Sequence, residues 1–309
     1  MEKHKEIQIL NNTIYLVDAY AHIYRGYHGV RALSTSDGKP TNAIYAIGRF
    51  LLTLEKEYSP DLGAFVFDLG APVKRLEIAP DYKANRPSMP DDMRQQISAI
   101  REMIEAAGWN LIEKEGNEAD DILAVLAYRF DKNPVRIISN DKDIAQVIDE
   151  RVKMLITIPR VKGFVVRDIK NVIEKFEVRP EQIVDYLSLI GDSSDNIPGV
   201  NGVGPKTAVQ LLKQFGSIDE MINQVDKIKK ASLKEKIASS TDILNKNRKL
   251  IALDLCIELE NCTTSDHLKM RLPQIDKLLD IANQYELKSL AQEFSKIYDK
   301  RMNPSLFGF

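Results

Sequence analysis

Ile14-Tyr15-Leu16-Val17-Asp18 is a short apolar run closed by an acid. A run of this length, rich in β-branched and aromatic residues, predicts a buried strand rather than a helix. The pattern recurs: Asp68 closes Phe65-Val66-Phe67, while Asp141 and Asp143 follow Ile137-Ile138-Ser139-Asn140. Working outward, strands are expected at Thr13–Val17, Gly63–Phe67, Asn110–Ile112, Val135–Ser139 and Val152–Ile156. Helical patterns fall near Asn42–Lys56, Pro90–Ala107, Glu118–Phe130 and Asp143–Ile148. Alternation of this kind implies an α/β domain with a mostly parallel central sheet flanked by helices. After Arg167 the strand signal stops, and helices follow at Arg167–Phe176, Glu181–Ile190, Lys206–Phe215 and onward to Lys300. The expected division is therefore an α/β domain over about 1–170 and a helical region over about 171–309.

Composition sets limits around this frame. The 309 residues are 44% hydrophobic and 28% charged, the balance of a globular chain, with no apolar run long enough to span a membrane. The N-terminus, Met1-Glu2-Lys3-His4-Lys5-Glu6, is charged and unlike a secretory signal. Cys256 and Cys262 lack partners at zinc spacing and read as incidental thiols in a reducing cytoplasm. Net charge is only −2, but charge distribution matters more than the total. Between Asn201 and Leu250, ten Lys and Arg face five Asp and Glu. A protein that holds cations in an acidic pocket and phosphates on distant lysines would come out near neutral.

In a parallel sheet, ligands collect at the carboxyl ends of the strands. A lone strand-end Asp is commonly a helix cap or turn former. Here, however, three separate strands deliver Asp18, Asp68, and the pair Asp141 and Asp143 to one edge. Glu118, Asp120 and Asp121 open a predicted helix, where acids also suit the helix dipole. Asp121 is followed directly by Ile122 and Leu123, so it sits near the buried side with no nearby lysine as partner. Asp192 and Asp195, three apart, open the helical region. Converging acids in this number repel one another unless hard cations join them, and Mg²⁺ or Mn²⁺ with oxygen ligands is the expected answer. Two such ions stabilise the attacking and leaving oxygens of a phosphodiester displacement. No phosphate-binding lysine loop, nucleophile elbow or zinc-spaced His pair competes; His4, His22, His28 and His267 are scattered.

Two further stretches stand out. Ala71–Pro90 carries four prolines and the basic residues Lys74, Arg75, Lys83 and Arg86, a long connection expected to be mobile without a ligand. Gly199-Val200-Asn201-Gly202-Val203-Gly204-Pro205-Lys206-Thr207-Ala208 fits a helix-hairpin-helix turn as well as a plain interhelical turn. In the first reading its glycines admit a phosphate closely, and Lys206 at the start of the next helix faces the backbone of a duplex.

Taken together, these residues resemble the 5′ nuclease, or flap endonuclease, family, and within it the 5′→3′ exonuclease domain of bacterial DNA polymerase I. The strings that carry the resemblance are Tyr15-Leu16-Val17-Asp18, Pro40-Thr41-Asn42-Ala43, Val66-Phe67-Asp68 and Asp81-Tyr82-Lys83-Ala84-Asn85-Arg86-Pro87. They continue with Glu118-Ala119-Asp120-Asp121, Asp141-Lys142-Asp143-Ile144-Ala145-Gln146 and Gly191 through Gly204, in the family's order over roughly Thr13 to Leu290. The resemblance implies a PIN-like sheet with a helical arch at about 71–90 and a helix-hairpin-helix variant at about 185–215. It implies a first metal at Asp18, Asp68, Glu118 and Asp120, a second at Asp141, Asp143, Asp192 and Asp195, and Asp121 near both. Lys83 and Arg86 would contact the scissile phosphate, with Tyr82 beside them, and Gly202, Gly204, Lys206 and Thr207 would hold duplex DNA. A K⁺ ion would sit on backbone carbonyls of Gly199, Val200 and Val203. The implied substrate is DNA with a 5′ end (a flap, nick, gap or overhang, or an RNA–DNA primer junction), cut by a monomer in the bacterial cytoplasm during replication and repair.

Departures are Ala19, where the family commonly has Gly, and Ile78-Ala79 in place of an aromatic-containing stretch. The tail after Leu290 matches nothing in the pattern, Asn303–Phe309 lacks periodicity, and both a free-standing nuclease and an excised polymerase domain are compatible with the pattern. Two rivals remain: a PIN-type RNA nuclease, which is usually shorter and lacks the glycine turn, and a non-catalytic structure-specific DNA-binding module.

Overall fold

The computed structural model describes residues 12–158, 161 and 163–302. The charged N-terminus with His4 and the tail Asn303–Phe309 lie outside them. The chain opens with β1 (Ile14–Asp18), α1 (Ala19–Gly29), α2 (Asn42–Tyr58) and β2 (Leu62–Leu69). It continues with α3 (Val73–Ile78), α4 (Asp91–Arg94), α5 (Ile97–Ala106), β3 (Asn110–Glu115) and α6 (Ala119–Arg129). Three strands follow, β4 (Val135–Ile138), β5 (Val152–Ile156) and β6 (Val165–Arg167). The sheet order is β3-β2-β1-β4-β5-β6, parallel except for β6, which pairs antiparallel to β5.

The alternation of side chains along a strand explains the two cores. Ile14 and Leu16 point to one face of the sheet, where Ala64, Val66 and nearly the whole length of α6 pack. Tyr15 and Val17 point to the other, against Phe65, Phe67 and helices α2 and α5. Because both faces are covered, the strands read as continuous apolar runs, and their carboxyl ends carry the polar residues.

Beyond β6 come α7 (Ile169–Phe176), α8 (Ile183–Ile190), the two-residue strands β7 (Gly191–Asp192) and β8 (Ile197–Pro198), and α9 (Pro205–Phe215). Then follow α10 (Ile218–Asn223), α11 (Ala231–Ser239), α12 (Thr241–Ile251), α13 (Ile275–Gln284) and α14 (Lys288–Met302). This region is not a separate body. The helices from α7 to α12 extend the core on the α6 side, whereas Leu278, Ile281, Leu290, Phe294 and Tyr298 return to the opposite core. Gly48 on α2 lets α14 come close, since a Cβ there would stand 2.4 Å from Leu290 Cδ2. From Leu290 to Met302 the chain, without match in the sequence pattern, is thus helical, and it enters the core through Phe294 and Tyr298.

Several elements differ from expectation. Helix α1 and the edge strand β6 were not foreseen. The helix expected over Pro90–Ala107 is two helices, joined where buried Gln96 accepts from the Ala43 and Ile44 amides at the start of α2. The expected helix at Asp143–Ile148 is a single 3-10 stretch, Asp143–Val147. No helix among the described residues is long and apolar enough to cross a membrane.

Candidate active site

Asp18 ends β1 and caps α1, accepting from the Ala21 amide at 3.1 Å. Its other oxygen accepts from the buried Ser139 hydroxyl at 2.9 Å, at the end of β4. Asp68, near the end of β2, accepts from the Ala119 amide at 2.9 Å and so ties the start of α6 to the sheet edge. With Glu118, Asp120 and Asp141 these acids line an open cleft of about 610 Å³. Lys83, Arg86 and Arg94 enter the same cleft, as do Tyr20, Tyr24 and Met89.

A second group adjoins it. Ligand-capable oxygens of Asp143, Asp192 and Asp195, all buried, lie within 4.8 Å of one another. Asp141 connects the groups, since it accepts from the Asp143 amide at 2.9 Å. Tyr82 connects them too, its hydroxyl standing 3.2 Å from both Glu118 Oε2 and Asp195 Oδ2.

The electrostatics are those of an anion-crowded pocket. Burial, then the neighbouring Asp68 charge, pushes the Asp18 carboxyl up to about 7. Burial also raises Asp68, and burial with the charges of Glu118 and Asp121 raises Asp120 well above the carboxylate range. Asp143 is pushed up to about 8 by burial and by Asp141, Asp192 and Asp195. Its buried Oδ1 has no hydrogen-bond partner. Carboxylates held against their own ionisation, one with an orphaned oxygen, suit hard divalent cations.

The protein supplies part of the countercharge. Burial opposes ionisation of Glu118, but the Lys83 and Arg75 charges outweigh it and hold the carboxyl below its ordinary value. Lys83 pairs with Glu118 and approaches Asp195 at 3.7 Å. Arg86 pairs with Asp195 at 2.5 Å, and Lys142 with Asp192 at 2.9 Å.

The basic segment at 71–90 is tied by backbone contacts to the residues around Asp195. Lys83 N–H donates to the Asp195 carbonyl at 3.0 Å, Asn85 to the Ser193 carbonyl, and Asn196 back to the Asp81 carbonyl. Only Val73–Ile78 within it is α-helical. Lys83 itself takes a left-handed backbone (φ 56°), a conformation that disfavours a side chain and marks a position fixed by its surroundings.

Two of these residues have partners that the sequence does not announce. Tyr82, expected to meet DNA, is 6% exposed and turned into the acids. Asp121 does have a partner: Arg75, from far upstream, grips both of its oxygens. The sequence assigns no role to Arg75, Ser139 or Lys142, although Arg75 stands among the basic residues of 71–90 and Lys142 lies in plain view between Asp141 and Asp143. Among the histidines, His22 is a core residue bonded to the Ile138 carbonyl.

At the glycine turn, Gly202 has a left-handed backbone (φ 78°) and Gly204 has open space where a Cβ would stand. Lys206 is exposed in the first turn of α9, while Val200 and Val203 are buried beneath. Gly199 is needed for close approach, because a Cβ there would fall 2.3 Å from the Ile190 carbonyl carbon.

A sheet edge that gathers acids beside a lysine and an arginine, in an open cleft, has the parts of a metal-dependent nuclease. Residues 13–177 match the family described as 5′-3′ exonuclease, N-terminal resolvase-like domain, and residues 178–293 match 5′-3′ exonuclease, C-terminal SAM fold. The chain is 39% identical to the 5′-3′ exonuclease of Aquifex aeolicus over 299 residues, covering 96% of this chain and 99% of that protein. It is 36% identical over 285 residues to Thermus aquaticus DNA polymerase I, of which it spans 33%. This chain belongs to the 5′-3′ exonuclease family. Solved structures agree on the fold. The zinc-bound 5′-exonuclease of bacteriophage T5 superimposes with a TM-score of 0.63 at 22% identity, covering 93% of this chain and 99% of that one. The catalytic core of Rad2 with a DNA substrate gives 0.64 at 18%, covering 95% and 94%.

Proposed function

We propose that this enzyme cuts DNA at a junction next to a free 5′ end, as a structure-specific exonuclease and flap endonuclease working with two divalent ions, Mg²⁺ or Mn²⁺. The observation that carries this reading is the meeting of the two acid groups at one strand edge, with Lys83 and Arg86 held between them. Asp18, Asp68, Glu118 and Asp120 are suited to one ion, and Asp141, Asp143, Asp192 and Asp195 to the other. When bound, such ions neutralise the phosphate and lower the pKa of a coordinated water. Asp121, gripped by Arg75, stands beside the first set, with a carboxylate oxygen within 4.8 Å of those of Glu118 and Asp120.

The chain's own residues do the rest. Lys83 and Arg86 are cations already inside the cleft, and a phosphate entering it competes with Glu118 and Asp195 for them. Their charges then face the oxygens on which negative charge grows as the bond breaks. Lys206 and Thr207, with the open backbone at Gly202 and Gly204, hold a phosphate of the duplex without reading bases. Carbonyls of Gly199, Val200 and Val203 offer a K⁺ site at the same turn, although the Val200 carbonyl also accepts from the Val203 amide at 2.9 Å. A monomer acting on replication and repair intermediates in a bacterial cytoplasm, RNA–DNA primer junctions included, fits these parts.

The test is product analysis on 5′-labelled flap, nicked duplex and RNA–DNA hybrid, with and without Mg²⁺. Mg²⁺-dependent release of 5′-phosphorylated products next to the junction is expected. Cutting of single-stranded RNA in preference to all three substrates would favour a PIN-type RNA nuclease instead.

A further inference from the structure

Arg75 is a buried arginine whose side chain is 8% exposed, at the centre of the segment that leads to Lys83. A guanidinium has five N–H donors in a fixed fork. All five find acceptors here. Nε donates to the Leu250 carbonyl at 2.8 Å, and NH1 reaches Glu118 Oε2 and Asp121 Oδ2, each at 2.5 Å. NH2 donates to Asp121 Oδ1 at 2.8 Å and reaches the Ala252 carbonyl at 3.4 Å. No N–H is left for a phosphate, so Arg75 does not bind substrate.

What it joins is informative. The carbonyls belong to the end of α12, the carboxylates to the start of α6, and Arg75 itself to α3. Asp121 also accepts from the Asp254 amide at 2.8 Å, and Lys74 pairs with Asp254. Asp121 thus has both oxygens engaged by Arg75 and borders a second hollow lined by Lys74, Arg75, Lys249 and Asp254, while one of its carboxylate oxygens lies within 4.8 Å of those of Glu118 and Asp120. Glu118 differs: Arg75 holds its Oε2, while Oε1 turns toward Lys83 in the cleft.

We propose that Arg75 is the positioning residue of this site. It fixes the rotamer of Glu118, withdraws Asp121 from ion binding, and locks the Lys83 segment to the helical region. The inference rests on the reading of the cleft as a divalent-ion site. A lysine in its place keeps the charge but offers three donors on a single nitrogen, too few and too close together to bridge two carboxylates and two carbonyls.

Three measurements on the whole chain test it: single-turnover cleavage of a 5′ flap in Mg²⁺, flap affinity in Ca²⁺, and Mn²⁺ binding without DNA. Arg75→Lys is expected to slow cleavage about 10- to 100-fold, the usual effect of losing a partner that orients metal ligands, with flap affinity changed less than about twofold. Asp121→Asn, an isosteric change that keeps the fold testable if Arg75→Lys is unstable, is expected to slow cleavage similarly while Mn²⁺ stoichiometry is unchanged. The double variant is expected to be no slower than the worse single one, because the pair acts as a unit. Normal Mn²⁺ uptake with Arg75→Lys cutting at the unaltered rate would overturn this proposal alone. So would loss of an ion in Asp121→Asn. An unaltered protein that takes up no Mn²⁺ would overturn the reading of the cleft, and this proposal with it.

Discussion

At the scale of the residue, Lys83 shows how the site is poised. Its left-handed backbone is fixed by the bond to the Asp195 carbonyl, and its ammonium rests on Glu118. Lys83→Ala is expected to reduce the single-turnover rate about 100-fold or more while flap affinity falls far less, because its charge matters most as the phosphate bond breaks. A rate loss fully explained by weaker binding would remove it from catalysis. The acids make a second prediction. Asp18 and Asp143 have folded-state values pushed up to about 7 and about 8, above those of the unfolded chain. Their protonated forms suit the metal-free fold, so its stability is expected to fall as pH rises from 6.5 to 9. His22, lowered to about 4 by burial, acts in the opposite sense only below about 6.5 and leaves that window clear. Thermal melts in chelator should show the decline, and Mn²⁺ should raise the melting temperature more at pH 8 than at pH 6. A metal-free melting point that climbs through this range would count against the crowded-acid account. Each acid was legible in the sequence because strand ends and one helix start announce it locally. Arg75 was not, since its contacts with Asp121 and Leu250 span 46 and 175 residues.

Among the elements, the glycine turn and the segment from 71 to 90 contrast in how well sequence foretold them. Close backbone approach at Gly199 and the left-handed Gly202 are demands only glycine meets, so the turn was readable from its spacing. Lys206→Ala is expected to weaken duplex binding alike for all sequences and to reduce the salt dependence by about one unit. A loss that varied with sequence would mean that the turn reads bases. The contacts of the 71–90 segment are not legible in its sequence, because proline counts report backbone freedom and ignore what the side chains meet. Tyr82 enters the acid pocket, and Asn85 and Asn196 stitch the backbone across to residues 193 and 81. The short β6 failed to register for a different reason. Three edge residues make too brief a pattern, and only pairing with β5 defines them.

For the whole molecule, order along the chain was legible and closure was not. The alternating pattern gave the sheet, but nothing in it told α13 and α14 to return to the face opposite α6. Phe294 and Tyr298, fully buried beside α2, do that closing. Phe294→Ala is expected to destabilise the fold by about 3–5 kcal/mol, as for a large core truncation, while the folded fraction keeps its Mg²⁺-dependent rate. Denaturant unfolding with a shift below 1 kcal/mol would show that α14 is not part of the core. The central claim, that the strand-edge acids form one two-ion nuclease centre, is tested most directly by crystals grown with Mn²⁺ and examined by anomalous diffraction. Two peaks about 4 Å apart are expected, one against Asp18, Asp68, Glu118 and Asp120, the other against Asp141, Asp143, Asp192 and Asp195. A single ion bound elsewhere, with those carboxylates still paired only to Lys83, Arg86 and Lys142, would contradict it.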